Sequence, residues 1–319
     1  MLAIVGWVVL AAVLAVAAVV VAYVWRTQRI AREAERLVPV AGKFVTIDGN
    51  RIHYVERGIG PPILFIHGLG AQLHQFTATL FPKLDGFRLV AIDRPGAGYS
   101  TRASGASGKP TEQARIIAGV IDALKLGKPL VVGHSLGGAV ALALALDHPD
   151  KVAGLALLSP HTKHRDSVPP EFAALHIPSR FKRWALSHTV AVPASQKFAA
   201  ATMAYVFAPQ TAPDDYMTKG GGSLGLRPAH FHGSATDITD LAQDYPALAA
   251  RYGELKMPVG ILYGTADKLL DHKANGIGMA EQIPGLELEL LDGVGHMPHF
   301  VAADASAAFI RRIAAKAFG

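Results

Sequence analysis

The chain contains no cysteine, which removes disulfide frameworks, thiolate metal sites and cysteine nucleophiles from consideration. Charge is scarce too: Asp, Glu, Lys and Arg make up 18% of the 319 residues, against about 25% in an ordinary soluble protein. With an apolar share of 50%, intrinsic disorder is excluded. There is no internal repeat, no low-complexity tract after the first 25 residues, and no interleaving of basic and aromatic residues of the kind that holds nucleic acid. At about 150 residues per domain, the length allows two domains or one large one.

What is present, first, is an apolar leader. Leu2 to Trp25 carries no charge, and at about 1.5 Å of rise per residue it spans roughly 36 Å, against about 30 Å of hydrocarbon. Trp7, Tyr23 and Trp25 stand near its ends, where amphipathic rings favour the headgroup layer. A cleaved secretory signal would have a basic start and a shorter apolar stretch, so a retained anchor over residues 1–25 is expected. Arg26, Arg29, Arg32, Arg36 and Lys43 all follow the span, which predicts a single-pass protein with its body on the cytoplasmic side. The net charge of +6 divides into +2 from residues 26–36, four Arg less two Glu, and +4 from the rest; such a basic connector, residues 26–43, suits anionic lipid rather than nucleic acid. Ala11 with Ala15 and Ala18 with Ala22 would let two such helices touch, but in an alanine-rich span this leaves the oligomeric state open.

The body reads as α/β. Phe44–Ile47 and Arg51–Arg57 are strands joined by a hairpin turn at Asp48-Gly49-Asn50, which lacks the further oxygen ligands of a calcium loop. Short apolar runs then recur at Ile63–Ile66, Leu89–Ile92, Leu130–Val132, Val152–Leu158, Val259–Tyr263 and Leu286–Leu291, mostly separated by helix-length segments. Runs with little alternation suit strands covered on both faces, so the pattern predicts an eight-stranded, mostly parallel sheet between helices. Between His161 and Lys256 the strands stop and helical segments such as Phe198–Phe207 take over, too long a stretch for a loop. The expected organisation is therefore a core over residues 44–160 and 257–319 with an inserted helical cap over 161–256, the Gly220-Gly221-Gly222 run being a turn rather than a hinge.

Gly133-His134-Ser135-Leu136-Gly137 fits G-x-S-x-G, a weak signal alone, but it directly follows the run Leu130–Val132 and directly precedes an alanine and leucine helix. That is the strand, sharp turn and helix a nucleophile elbow requires. A serine hydroxyl needs a base and the base needs an orienting carboxylate. Of 14 histidines, His296 follows the last strand, and Asp267 follows the one before it, with Asp271 as its substitute. Both would emerge at the sheet edge that carries Ser135, and the order Ser, Asp, His agrees with this fold. The oxyanion donors are expected to be the N–H groups of Leu136 and of Leu69, in His67-Gly68-Leu69-Gly70, with the His67 side chain supporting that loop. The histidine pairs His161 with His164 and His296 with His299 lack the companion ligands of a zinc site, so no metal and no cofactor is expected.

These residues resemble the α/β-hydrolase superfamily: His67 to Gly70, Asp93-Arg94-Pro95-Gly96-Ala97-Gly98-Tyr99-Ser100, Gly133 to Gly138, Asp267 and His296 fall in its order and spacing over the core but not the cap. A serine at 135 disfavours the branches with an aspartate nucleophile, epoxide hydrolases and haloalkane dehalogenases, and Gly70 stands where the former have proline. With its leader, the chain is similar to membrane-anchored monoacylglycerol-lipase-like hydrolases. The resemblance implies a serine esterase acting on small, lipid-like esters through an acyl-enzyme, with the Asp93–Ser100 loop structural. C–C bond hydrolysis, perhydrolysis or peptidase activity on the same residues, or a membrane-tethered binding protein that no longer turns over, are the alternatives.

Overall fold

The computed structural model describes residues 1–163 and 170–319. Its strands are β1 (Lys43–Ile47), β2 (Asn50–Arg57), β3 (Pro62–Ile66), β4 (Arg88–Ile92), β5 (Leu130–His134), β6 (Gly154–Leu158), β7 (Val259–Gly264) and β8 (Glu287–Leu291). They form one sheet in the order β1-β2-β4-β3-β5-β6-β7-β8. The β1–β2 and β2–β4 pairs are antiparallel and every other pair is parallel, as the run pattern predicts. Asp48 and Gly49 take positive φ of 47° and 78°, the two-residue turn whose twist suits a hairpin, and Ile47 pairs with Asn50 across it.

Apolar side chains alternate between the two faces of the central strands. Leu64, Ile66, Val131 and Leu157 join one core cluster, while Ile63, Phe65, Val132 and Leu158 join the other. Each is fully buried, worth about 1.5–3 kcal/mol apiece, which is why these strands read as unbroken apolar runs. The helices Pro110–Ala123 and Leu136–Asp147 cover the first face, and Ala303–Phe318 covers the second. Leu136–Asp147 is buried from Leu136 through Leu146, so alanine and leucine on all sides suit its place between the sheet and a neighbouring helix. Edge strand β8 alternates, and its outward Glu287 and Glu289 are paired by Arg312 and Lys316.

Between β6 and β7 the described residues hold helices and turns, including Arg180–His188, Ala191–Phe207, Pro228–Asp240 and Tyr245–Ala249. Three carboxylates seat this layer on the core. Asp237 accepts from Arg94 at 2.6 Å and from Arg102, Asp240 from the Gly108 amide at 2.7 Å, and Asp244 from the Thr111 hydroxyl at 2.6 Å. The glycine run is a packed turn: Gly221 has φ of 76°, and the Gly220 carbonyl accepts from Gln72 Nε2 at 2.7 Å.

The leader is one helix, Leu2–Leu37, long and apolar enough to cross a membrane. The apolar leader and the basic stretch that follows it are thus continuous. Its apolar part is exposed throughout, whereas Thr27, Ile30, Ala31 and Ala34 are buried against the cap.

Candidate active site

The elbow is built by its glycines. Ser135 has φ of 52° and ψ of −121°, a region that costs a side-chain-bearing residue on the order of 1–3 kcal/mol. Its surroundings hold it there: the Ser135 amide donates to the Leu158 carbonyl at 3.1 Å, and its own carbonyl accepts from Gly138 at 2.8 Å and His161 at 3.0 Å. A Cβ on Gly137 would collide with the carbonyls of Ile66 and His67, and one on Gly133 would stand 2.6 Å from the Gly137 carbonyl. The pattern G-x-S-x-G is therefore what lets a strand turn at once into a helix beneath β3. Leu136 opens that helix, so its N–H belongs to the first turn, which has no acceptor within the helix.

His296 lies after β8 and Asp267 after β7, and the two loops are joined by the Ala266 amide on the Val294 carbonyl at 3.0 Å. His296 Nδ1 donates to Asp267 Oδ2 at 2.7 Å, with both side chains buried. The other carboxylate oxygen accepts the amides of Leu269 at 2.8 Å and Leu270 at 3.0 Å. Asp271 instead caps the short helix His272–Asn275 through the Lys273 amide. His134 Nε2 donates to the His296 carbonyl at 3.0 Å, and burial, with the neighbouring His299 and His296, holds the His134 pKa well below its usual range, so this ring works as a neutral prop.

The loop after β3 approaches the elbow closely: a Cβ on Gly68 would lie 3.0 Å from that of Ser135. Buried Arg94 donates from Nε to the His67 carbonyl at 2.8 Å and from Nη2 to the Gly68 carbonyl at 2.9 Å. His67 Nδ1 donates to the same Gly68 carbonyl at 2.8 Å, while its Nε2 accepts from the Arg94 amide. Burial, then the Arg94 charge, pushes the His67 pKa down to about 3, so the ring is neutral and supports the loop. With the Gly68 carbonyl turned toward Arg94, the Leu69 N–H of the same planar trans peptide points the opposite way.

Ser135, His296, Leu69 and Leu136 all line one cavity of about 690 Å³ between core and cap, and Asp267 stands behind His296. Among the described residues the lining holds no Asp, Glu, Lys or Arg; its walls are side chains such as Phe172, Met203, Val206 and Phe231. His161 lines it too and contacts Tyr245 of the cap, whereas His164 lies outside the described residues. The Asp93–Ser100 loop is a buried scaffold: Asp93 accepts from His53 and from the Leu73 and Tyr99 amides.

The profile of the alpha/beta hydrolase fold family matches residues 61–303, and the chain belongs to that family. Over 122 residues, 38% of this chain, it is 39% identical to the dihydrolipoyllysine-residue acetyltransferase component of the acetoin cleaving system of Cupriavidus necator and 36% identical to haloalkane dehalogenase 2 of Mycobacterium tuberculosis. These matches span only 32% and 43% of the two relatives. A longer match, 26% identical over 80% of this chain and 88% of the other, is to a 2-hydroxy-6-oxononadienedioate/2-hydroxy-6-oxononatrienedioate hydrolase of Burkholderia vietnamiensis. Among solved structures, a bacterial membrane phospholipase A superposes with a TM-score of 0.69 at 23% identity, covering 98% of both chains. An alpha/beta hydrolase fold protein of Burkholderia ambifaria gives 0.71 at 22% identity over 85% of this chain and 97% of its own. At these identities the likeness is one of fold.

Four supporting residues escape sequence reading: Arg94, His134, Gln210 and Asp237. Gln210, from the cap, accepts the Gly295 amide at 2.9 Å and donates to the Gly293 carbonyl at 2.8 Å, bracing the His296 loop. The only trace of them in the sequence is that Arg94 and His134 stand inside recognised motifs without an assigned role.

Proposed function

We propose that the protein is a membrane-anchored serine hydrolase of neutral, apolar carboxylic esters. Ser135 attacks the ester carbonyl, His296 takes its proton and returns it to the leaving alcohol, and Asp267 holds the imidazole with Nδ1 protonated. The N–H groups of Leu136 and Leu69 receive the oxyanion, and water releases the acyl-enzyme by the same steps in reverse roles. The observation that carries this reading is an uncharged cavity with Ser135 and His296 on its wall and the bond from His296 to Asp267 at 2.7 Å.

A C–C bond hydrolase is the second reading, favoured by the Burkholderia vietnamiensis relative. That relative's substrate, by its name, is a dicarboxylate, and a buried carboxylate needs a cation. Among the described residues the lining offers no Lys or Arg, which supports the neutral ester. Leu2 to Trp25 would span the bilayer, with Arg26, Arg29, Arg32 and Arg36 keeping the body on the cytoplasmic side.

A fluorophosphonate probe on the full chain tests the chemistry: an adduct on Ser135 is expected, and its absence would favour a non-catalytic binding protein. Protease added to intact spheroplasts tests the sidedness, with the body expected to survive until the cells are opened.

A further inference from the structure

The two cap helices nearest the leader, Arg180–His188 and Ala191–Phe207, leave large apolar side chains uncovered: Phe181 is 74% exposed, Trp184 54% and Phe198 58%. Phe181 stacks near Trp184, and Trp184 near His188, so they form one outward aromatic row. Leu186, Val190 and Phe198 are exposed and also line the cavity, so the cavity opens between them. Patches of this kind on a soluble surface mark an interaction site.

Its depth is set by the leader. Thr27 lies two residues after Trp25, the last residue of the uncharged stretch, and its hydroxyl donates to the carbonyl of Thr189, the corner between the two cap helices. A leader that crosses the bilayer therefore puts that corner, and Val190 beside it, at the boundary between hydrocarbon and water. Charge agrees with this placement. Residues 180–207 contain no carboxylate, and of their four cations Arg180, Lys182 and Lys197 are exposed while Arg183 is buried. Arg26, Arg29, Arg32 and Arg36, all exposed, line a groove of about 570 Å³ with Gln196 of the cap and one acid, Glu33, which pairs with Arg36 and leaves three cations unpaired by the groove's own acid. Basic groups near a bilayer surface are attracted by anionic lipid.

We infer that the face formed by Arg180–His188 and Ala191–Phe207 rests in the headgroup layer of an anionic bilayer, so that the cavity opens onto the leaflet and lipid esters enter without crossing water. This rests on the spanning leader and ester-hydrolase reading proposed above. The occupant is the lipid surface itself, because the same helix that would cross it is bonded to the rim of the cavity mouth.

The test uses the full chain in phosphatidylcholine vesicles containing phosphatidylglycerol. The double variant Phe181→Glu/Trp184→Glu, whose residues lie outside the cavity lining, should lose at least tenfold in turnover of vesicle-borne monoacylglycerol while cleaving soluble p-nitrophenyl butyrate within twofold of the parent. Unchanged vesicle-borne turnover would overturn the inference. Parent protein inert toward both esters would instead remove the functional reading. A second measurement needs neither activity nor that variant: with Trp7→Phe and Trp25→Phe leaving Trp184 alone, lipids brominated near the headgroup end of the acyl chain should quench its fluorescence by at least half. No quenching would overturn the placement at the membrane.

Discussion

Arg94 and Asp237 meet at 2.6 Å with both side chains buried, and through this pair a cap helix holds the loop that carries Leu69. The guanidinium has its other donors on the His67 and Gly68 carbonyls and on Gln113, so it cannot turn away without freeing that loop. Asp237→Asn should cost about 3–5 kcal/mol, the usual penalty for leaving one member of a buried pair alone. It should also lower kcat more than it raises KM. Urea unfolding in detergent and steady-state kinetics on one ester check the two effects.

Ser135→Ala should remove at least 10^4-fold of kcat, in the range seen when a triad nucleophile is lost, with the urea midpoint almost unmoved. Asp267→Asn should cost about 10^4-fold, because the amide oxygen keeps the Leu269 and Leu270 amides and the NH2 then donates to His296 Nδ1, holding the imidazole in the tautomer that cannot take the serine proton. Retained turnover in either variant would remove the mechanism.

Gly137→Ala places a methyl group against the carbonyls of Ile66 and His67. The elbow helix must then move off β3, at a cost of about 3 kcal/mol at the upper end of ordinary overpacking. Expected outcomes are a lower unfolding midpoint and lost activity, even though no reacting group has changed.

Acid should weaken the fold well above the carboxylate range. Burial pushes the pKa of His67 and His299 down to about 3 and that of His230 to about 4, from 6.5. Above pH 6.5 these rings are neutral in both folded and unfolded chains; below it the unfolded chain binds protons that the native one refuses. Stability should therefore fall as pH drops from 6.5 toward 4, by about 1.4 kcal/mol per pH unit for each ring and at most about 4 for the three together. Urea midpoints at pH 7.5, 6 and 5 give the slope, and a flat profile would contradict neutral burial.

Truncation should separate two roles of the leader. Removing residues 1–25 should release the protein from membranes without changing its unfolding midpoint, since every residue of that stretch is exposed. Removing residues 1–38 should lower the midpoint, since Thr27, Ile30, Ala31 and Ala34 are buried and Tyr99 donates to the Val38 carbonyl.

Six strands were legible because a sheet covered on both faces writes itself as apolar runs and two because a hairpin turn joins them, and all eight lie within two residues of the spans expected. Ser135, His296 and Asp267 were legible as candidates because each directly follows such a run, a relation between neighbours in the chain. Arg94, Gln210 and Asp237 were not, since what matters about them is contact across 143 residues for one pair and 83 for another, and no local pattern carries that. The continuation of the helix beyond Trp25 is not legible because its stabilising face, Thr27 to Ala34, is short, and its partner is a cap whose helices are themselves weakly patterned.

The unbroken course of Leu2–Leu37 has a mechanical consequence. With no proline, glycine pair or bulge between a span and the segment bonded to Thr189, a tilt imposed at one end is delivered to the other. Were the leader to span as proposed, about 36 Å of apolar helix in about 30 Å of hydrocarbon would have to lean. A thicker lipid phase would then stand this lever more upright, and lipid thickness would become a mechanical input to the body bonded to its end.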